Sequence, residues 1–347
     1  MVSTAVLFAS ADAHRCRESS PRGSRPRSSR LALLPVGNKP LVLHALEELI
    51  DAGVSNVAVV SAGSIADEVQ EAIGQASRER VSTTPVVYDE THFLDALKEV
   101  GDFVGRDPFV VHLGDSLARG GIGASLDGAR PGENDAVALV QENGNGEVTT
   151  LPAGLASLQA AGVYVFGPGV LDLATDRDAP DDWDLEIAGA AQRLARAGGR
   201  VEVRPVHEWW RYRQRPDALL QANRFFLSGI RGGPTDAWLE NTDLQGPVIL
   251  HPTARLCSTT VRGPVIIGPG VEIRDAYIGP YSSIGANVVI ENAEVEHSII
   301  LPGASIRDLG GRLEASVVGV QARIFRDFRL PRAYRVNIGE GAEIAIT

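Results

Sequence analysis

The sequence predicts an α/β domain on a mostly parallel sheet followed by a left-handed parallel β-helix, and three observations carry that prediction. The chain's 347 residues are about twice the usual single-domain length. Strand and helix signals alternate over roughly the first 230 residues. Beyond them, apolar residues return every five or six positions. The chain accordingly divides into residues 1–232 and 233–347. With 44% hydrophobic and 22% charged residues, both parts have enough apolar material for a core.

In chain order, the opening stretch from Met1 to Ala13 reads as a first buried strand. It lacks the basic flank and the length of a secretory leader. A stretch rich in Arg, Ser, Pro and Gly follows, from Arg15 to Arg30, and cannot bury a helix face, so it reads as a loop. From Val42 to Ala52, Val42, Leu43, Leu46, Leu49 and Ile50 share one helical face, and Gly53 stops the helix. Val54 to Val60 is a buried strand, and Ser64 with Asp67 opens a helix carrying Ile65, Val69 and Ile73. Pro85-Val86-Val87-Tyr88 is a strand, Thr91 starts a helix through Leu94, Leu97 and Val100, and Pro108 to Leu113 is a strand running into Gly114-Asp115. This rhythm implies a sheet covered on both faces, whose ligands sit beyond the carboxyl ends of the strands.

From Ile249 onward, Val261, Ile267, Ile273, Ile278, Ile284, Ile290, Val295, Leu301 and Ile306 recur at a spacing that no helix produces. The pattern resembles the hexapeptide repeat, in which each six-residue unit is a short strand plus a corner and three units make one coil. An antiparallel sandwich with regular turns is the alternative. The last stretch, from Phe325 to Thr347, is less regular and is expected to close the solenoid's end.

Composition excludes several classes of function. A net charge of −11 argues against broad binding to nucleic acid or an anionic membrane. No run of eighteen apolar residues is present to span a bilayer. Cys16 and Cys257 cannot form a disulfide framework, and His14 and His251 show no metal-ligand spacing, so a reducing cytoplasm is expected. Of 33 basic residues only Lys39 and Lys98 are lysines. Any chemistry that needs a lysine therefore has two candidates.

Several stretches then fall in a telling order: Leu34-Pro35-Val36-Gly37-Asn38-Lys39-Pro40-Leu41, Leu46 to Gly53, Phe109 to Asp115, Ala161-Gly162-Val163-Tyr164-Val165-Phe166, Leu185-Glu186-Ile187, and Arg215 to Arg224. Together with the C-terminal repeats they resemble the sugar-1-phosphate nucleotidyltransferases over nearly the whole chain, most closely the long-form glucose-1-phosphate thymidylyltransferases. The resemblance implies a Rossmann-like nucleotidyltransferase domain before the β-helix. It implies a reaction in which a sugar phosphate attacks the α-phosphorus of a nucleoside triphosphate and releases pyrophosphate, with Mg²⁺ as cofactor. The rate of such a reaction comes from alignment and from neutralised phosphate charge.

Carried over residue by residue, the resemblance makes Arg15 and Arg30 candidates for nucleotide binding, Arg15 and Asp115 for catalysis, Asp115 for the metal, and Gly162 and Glu186 for the sugar phosphate. Other parts of the pattern depart. The glycine-rich turn, Gly-Gly-x-Gly-x-Arg in the family, reads Ser10-Ala11-Asp12-Ala13-His14-Arg15, so side chains obstruct backbone approach to a phosphate. The first family lysine falls on Leu31, and the second has no counterpart in Val148 to Gly154. The second metal aspartate belongs to a Trp-x-Asp turn read as Trp210-Arg211-Tyr212, which puts Tyr212 in its place, and His92 stands where the family has a glycine beside the nucleoside.

Alternatives stay open at this level. Asp115 is either a metal ligand or an acid finishing a strand, and the arginine run is either a phosphate clamp or a solvated loop. Trp209 or Trp210 either stacks a ligand or faces the core. Three functions follow: a catalytically impaired homologue that binds a sugar nucleotide and has a regulatory or scaffolding role, a working nucleotidyltransferase, or an acyltransferase using His297 of the repeats. A homo-oligomer or a complex with a partner protein is expected.

Overall fold

The structure is a computed structural model that describes residues 2–9, 30–76, 80–88, 92–141, 160–175, 183–212 and 217–328. Expectations for Arg15, the turn from Ser10 to Arg15, the arginine run before Arg30, the helix start at Thr91, Val148 to Gly154, and the chain end beyond residue 328 lie outside the described residues. The chain forms two compact units, Met1–Ile230 and Arg231–Thr347.

The first unit begins with strand β1 (Thr4–Phe8), a 3₁₀ turn at Leu31–Leu33, and a small hairpin of β2 (Pro35–Val36) and β3 (Lys39–Pro40). Helix α1 (Leu41–Asp51), β4 (Asn56–Ser61), α2 (Ala66–Ala76), β5 (Ser82–Val87), α3 (Phe93–Glu99), α4 (Gly101–Val104) and β6 (Phe109–His112) follow. The unit continues with β7 (Ser116–Ala118), α5 (Gly123–Leu126), β8 (Ala136–Gln141), β9 (Ala160–Phe166), α6 (Trp183–Arg196), β10 (Val201–Val206), β11 (Trp209–Arg211) and α7 (Ala218–Leu227).

Seven of these strands form one sheet in the order β10-β8-β9-β6-β1-β4-β5. The pairs β1 with β4, β1 with β6, β4 with β5, and β8 with β10 are parallel, whereas β9 runs antiparallel to both its neighbours. Alternation along β1 sends Val6 and Phe8 to one face, against α3 and α6, and Ala5 and Leu7 to the other, against α1 and α2. Both faces are therefore covered, as the alternating sequence pattern requires.

The β2–β3 hairpin turns through Gly37 and Asn38, both at positive φ, the two-residue turn whose twist suits a hairpin. Fully buried Asn223 of α7 accepts the Gly37 backbone N–H at 2.9 Å. This bond joins two of the stretches on which the family resemblance rests.

The second unit is a left-handed parallel β-helix of three sheets with six, five and five strands. Trp238 pairs with Arg255, Arg255 with Glu272, Glu272 with Val289, Val289 with Ser305, and Ser305 with Arg323, so a coil takes between 16 and 18 residues. Val261, Ile267, Ile273, Ile278, Ile284, Ile290, Val295 and Ile306 all enter its core. At one position the expectation is corrected: Ile300, not Leu301, is the core residue. The short strand Ile299–Ile300 ends there, and Leu301 belongs to the following turn. One corner repeats along the stack. Asn241, Ser258, Asp275, Asn292 and Asp308 all sit at positive φ, a conformation that short polar residues tolerate. Four of them donate their N–H to the preceding coil: Ser258 to Glu240, Asp275 to Cys257, Asn292 to Arg274 and Asp308 to Glu291.

Candidate active site

Strand β6 lies beside β1, and the chain leaves it through Leu113-Gly114-Asp115 before entering β7. Gly114 is at φ +66, and a Cβ there would lie 2.2 Å from the Phe8 carbonyl oxygen, so only glycine lets this turn press against β1. His112 is fully buried, and its Nδ1 accepts the Gly114 N–H at 2.9 Å, which leaves Nε2 to point at Glu48 Oε2, 3.5 Å away. The other oxygen of Glu48 accepts the Ala118 N–H at 2.8 Å. Helix α1 thus holds both ends of the segment that presents Asp115.

Asp115 does not stand open. Its Oδ2 accepts a hydrogen bond from Arg211 Nε at 2.8 Å, and the two side chains are only 4% and 6% exposed. Strand β11 creates the pair: it runs antiparallel to β7 with Arg211 opposite Ser116, and the Tyr212 N–H donates to the Asp115 carbonyl at 2.7 Å. Along β11, Trp209 donates its indole N–H to Ala161 O at 3.1 Å, while Trp210 and Tyr212 join an apolar cluster with Leu31, Val36 and Leu117. The residue whose side chain faces Asp115 is Arg211, while Tyr212, which the resemblance puts at the second metal aspartate's position, packs in the apolar cluster.

Gly162, in β9 at φ +78, borders the same pair. A Cβ on it would lie 2.7 Å from Asp115 Oδ1 and 3.3 Å from Arg211 Nε. That Oδ1 is buried and has no hydrogen-bond partner among the described residues.

Glu186 of α6 is engaged in a second buried arrangement. One of its oxygens lies 2.9 Å from His92 Nδ1, and the other accepts the Phe93 N–H at 2.8 Å, at the start of α3. The Tyr88 hydroxyl donates to the His92 carbonyl at 2.5 Å. His92, where the resemblance expects a glycine, thus lies beside Glu186 and binds it.

Among the described residues, Arg30, Lys39 and Lys98 are each paired with other groups. Arg30 is exposed and paired with Glu68 at 2.6 Å. Leu31, where the resemblance puts the first family lysine, is buried in the apolar cluster on a 3₁₀ turn. Lys39 meets both oxygens of Glu47 at 2.7 and 2.6 Å, and Lys98 bonds Thr175 Oγ1 at 3.3 Å, with Asp95 3.8 Å away. In the β-helix, half-buried His297 sits at positive φ with its ring against Tyr281, the centroids 6.2 Å apart.

These residues do not suit a magnesium ion. Among the described residues, no group of three or more His, Cys, Asp or Glu side chains is placed to hold one. One carboxylate oxygen of Asp115 is already matched by a guanidinium, and a cation there opposes any further cation. Two unit charges 4 Å apart interact by about 4 kcal/mol at an effective dielectric of about 20.

Sequence reasoning missed Arg211, Glu48 and His112 as partners of the Asp115 turn. Arg211 lies 96 residues from Asp115, so no local spacing signalled the pair. No helix in the described residues is long and apolar enough to cross a membrane.

With this geometry in place, comparison with known proteins defines the class. A family described as "Nucleotidyl transferase" matches residues 26–149. The chain is 30% identical over 340 residues to the low-salt glycan biosynthesis nucleotidyltransferase Agl11 of Haloferax volcanii, covering 90% of this chain and 93% of that one. The chain belongs to the sugar-1-phosphate nucleotidyltransferase family. Within it, the chain is similar to the glucose-1-phosphate thymidylyltransferase of Streptomyces griseus, 29% identical over 337 residues and covering 92% of this chain and 94% of the relative. A crystal structure from Bacillus anthracis, assigned to the glucose-1-phosphate thymidylyltransferases and holding sucrose, has the same fold. It aligns with a TM-score of 0.51 at 20% identity, over 67% of this chain and 98% of that one.

Proposed function

We propose that this chain is a diverged, catalytically impaired sugar nucleotidyltransferase homologue that acts as a sugar-nucleotide-binding, regulatory or scaffolding protein. The supporting observation is that the two carboxylates expected to serve metal and sugar, Asp115 and Glu186, are both consumed by basic side chains of the chain itself. Joining a sugar phosphate to a nucleoside triphosphate brings two anions together, and the protein's work is to supply countercharge and alignment. Here the lysine position is apolar, both lysines are held by other partners, and the metal carboxylate is neutralised internally. Removing one well-placed stabilising group commonly costs on the order of 10² to 10³ in rate. Such losses do not add simply, but their joint effect leaves little turnover.

The test is pyrophosphate release by the full chain with Mg²⁺, across the common nucleoside triphosphates and hexose 1-phosphates, alongside calorimetric binding of the corresponding sugar nucleotides. The expected result is release at the background rate. Turnover near the usual enzyme range of about 1 to 10³ s⁻¹ would overturn this reading.

A second reading, a working nucleotidyltransferase, is favoured by the likeness to Agl11 and the Streptomyces griseus enzyme over nine-tenths of this chain. It requires Asp115 to leave Arg211 when substrate enters, and it expects magnesium-dependent turnover that Asp115→Asn abolishes.

A further inference from the structure

We propose that Arg211 is the permanent cation of this site. Its guanidinium takes the position beside Asp115 that a divalent ion would need, so Asp115 does not take up metal in this chain, and one charge reversal at residue 211 turns the ion pair into a metal site. The proposal shares with the function above the premise that this pocket is the family's reaction site, but the two fail separately. Turnover that survives chelation would sink the first and leave the second standing. A metal ion bound at Asp115 without turnover would do the opposite.

Strand register carries the argument. Because β7 and β11 pair antiparallel with Ser116 opposite Arg211, the side chain of residue 211 and that of Asp115 meet at the same end of the ladder. Side chains alternate along β11, so Trp210 and Tyr212 go to the apolar cluster, while Trp209 contacts Ala161 and Arg211 contacts Asp115. No other residue of β11 reaches the carboxylate among the described contacts. The pair is buried, the guanidinium is always charged, and its planar fork fits a carboxylate, so no ordinary change of pH releases Asp115 by discharging its partner.

Gly162 leaves room for the arrangement, since any side chain there would strike Asp115 Oδ1. That oxygen retains acceptor capacity, but a single oxygen next to a fixed cation is a poor ligand set for Mg²⁺ or Mn²⁺, which are bound through carboxylates and other oxygens. A carboxylate at residue 211 would instead face Asp115 across the same strand pair and supply two acidic ligands where the chain now has an ion pair.

The experiment titrates the full-length protein with Mn²⁺, read by the loss of the free-ion electron paramagnetic resonance signal and by the shift in melting temperature. Five forms are compared: the unaltered chain, Asp115→Asn, Arg211→Asp, Arg211→Asp with Asp115→Asn, and Arg211→Met. The unaltered chain is expected to leave Mn²⁺ free at millimolar concentration. Arg211→Asp is expected to bind one equivalent and to melt higher in its presence, and the double variant is expected to lose both effects. Two outcomes overturn the proposal: the unaltered chain binds one Mn²⁺ that Asp115→Asn removes, or a folded Arg211→Asp protein binds none. If Arg211→Asp folds only when Mn²⁺ is added, that dependence supports the proposal. If it does not fold at all, Arg211→Met decides. A higher Mn²⁺ affinity than the unaltered chain supports the proposal, and an equal affinity overturns it.

Discussion

His44 shows at the scale of one residue how burial sets chemistry. Its ring packs edge-on against Phe226, with centroids 4.6 Å apart, and its Nε2–H donates to the Val36 carbonyl at 2.9 Å. Burial lowers its pKa from 6.5 to about 4, outweighing the carbonyl bond that favours the proton. Because the folded value lies below the unfolded one, the unfolded chain binds the proton more readily between pH 6.5 and pH 4. Stability is therefore lost as pH falls through that window. The loss approaches about 3 kcal/mol at 1.36 kcal/mol per pH unit. Chemical denaturation at pH 7, 5.5 and 4.5 should show this slope, and His44→Gln should flatten it, since the amide keeps a donor but does not titrate. An unchanged slope in that variant would assign the acid sensitivity to other groups. Nothing in the spacing of α1 marks His44 as special. It lies on a helix whose other buried residues are apolar, and its tautomer is set by the Val36 carbonyl of β2 while α7 covers its ring.

Between elements, Glu186 acts as a clasp. It reaches from α6 to accept the first amide of α3 and to hold His92, which joins two helices on one face of the sheet. Replacing it with alanine leaves buried donors unmatched, which costs about 1 to 3 kcal/mol. The melting temperature of Glu186→Ala should fall, amide exchange at Phe93 should quicken, and Glu186→Gln should lie between the two. Unaltered protection at Phe93 would show that the carboxylate does not cap the helix. The Leu-Glu-Ile pattern around Glu186 was legible in the sequence, but its partner was not. His92 lies 94 residues away, and pairs that distant are set by how two helices dock. The β-helix was easier to read because its contacts repeat. Each coil touches only its neighbours, so the same inward residue recurs at nearly constant spacing and the same corner returns at Ser258, Asp275 and Asn292.

For the molecule as a whole, a net charge of −11 sets what it attracts. At 0.15 M salt, where the Debye length is about 8 Å, the full chain should not retard duplex DNA in a gel. Retardation at that ionic strength would point to a local basic surface, the run from Arg15 to Arg30 being the first to examine by substitution. The chain forms two compact units, and the sheet that the sequence read as mostly parallel takes one antiparallel strand, β9. Strand β9 matters to the site because it brings Gly162 against Asp115.

The amino-acid sequence by itself determined the order of elements, the change from a covered sheet to a stacked solenoid, and that Lys39 and Lys98 are the only lysines of the chain. Each of these depends on periodicity or on the identity of a residue at a local spacing. Only the tertiary structure decided that Asp115 is bound to Arg211, 96 residues away, and Glu186 to His92. The physical reason is strand register. A slip of one residue along β11 would exchange Arg211 for Tyr212 and turn every side chain to the opposite face, and two adjacent tryptophans offer no local means of choosing between the two.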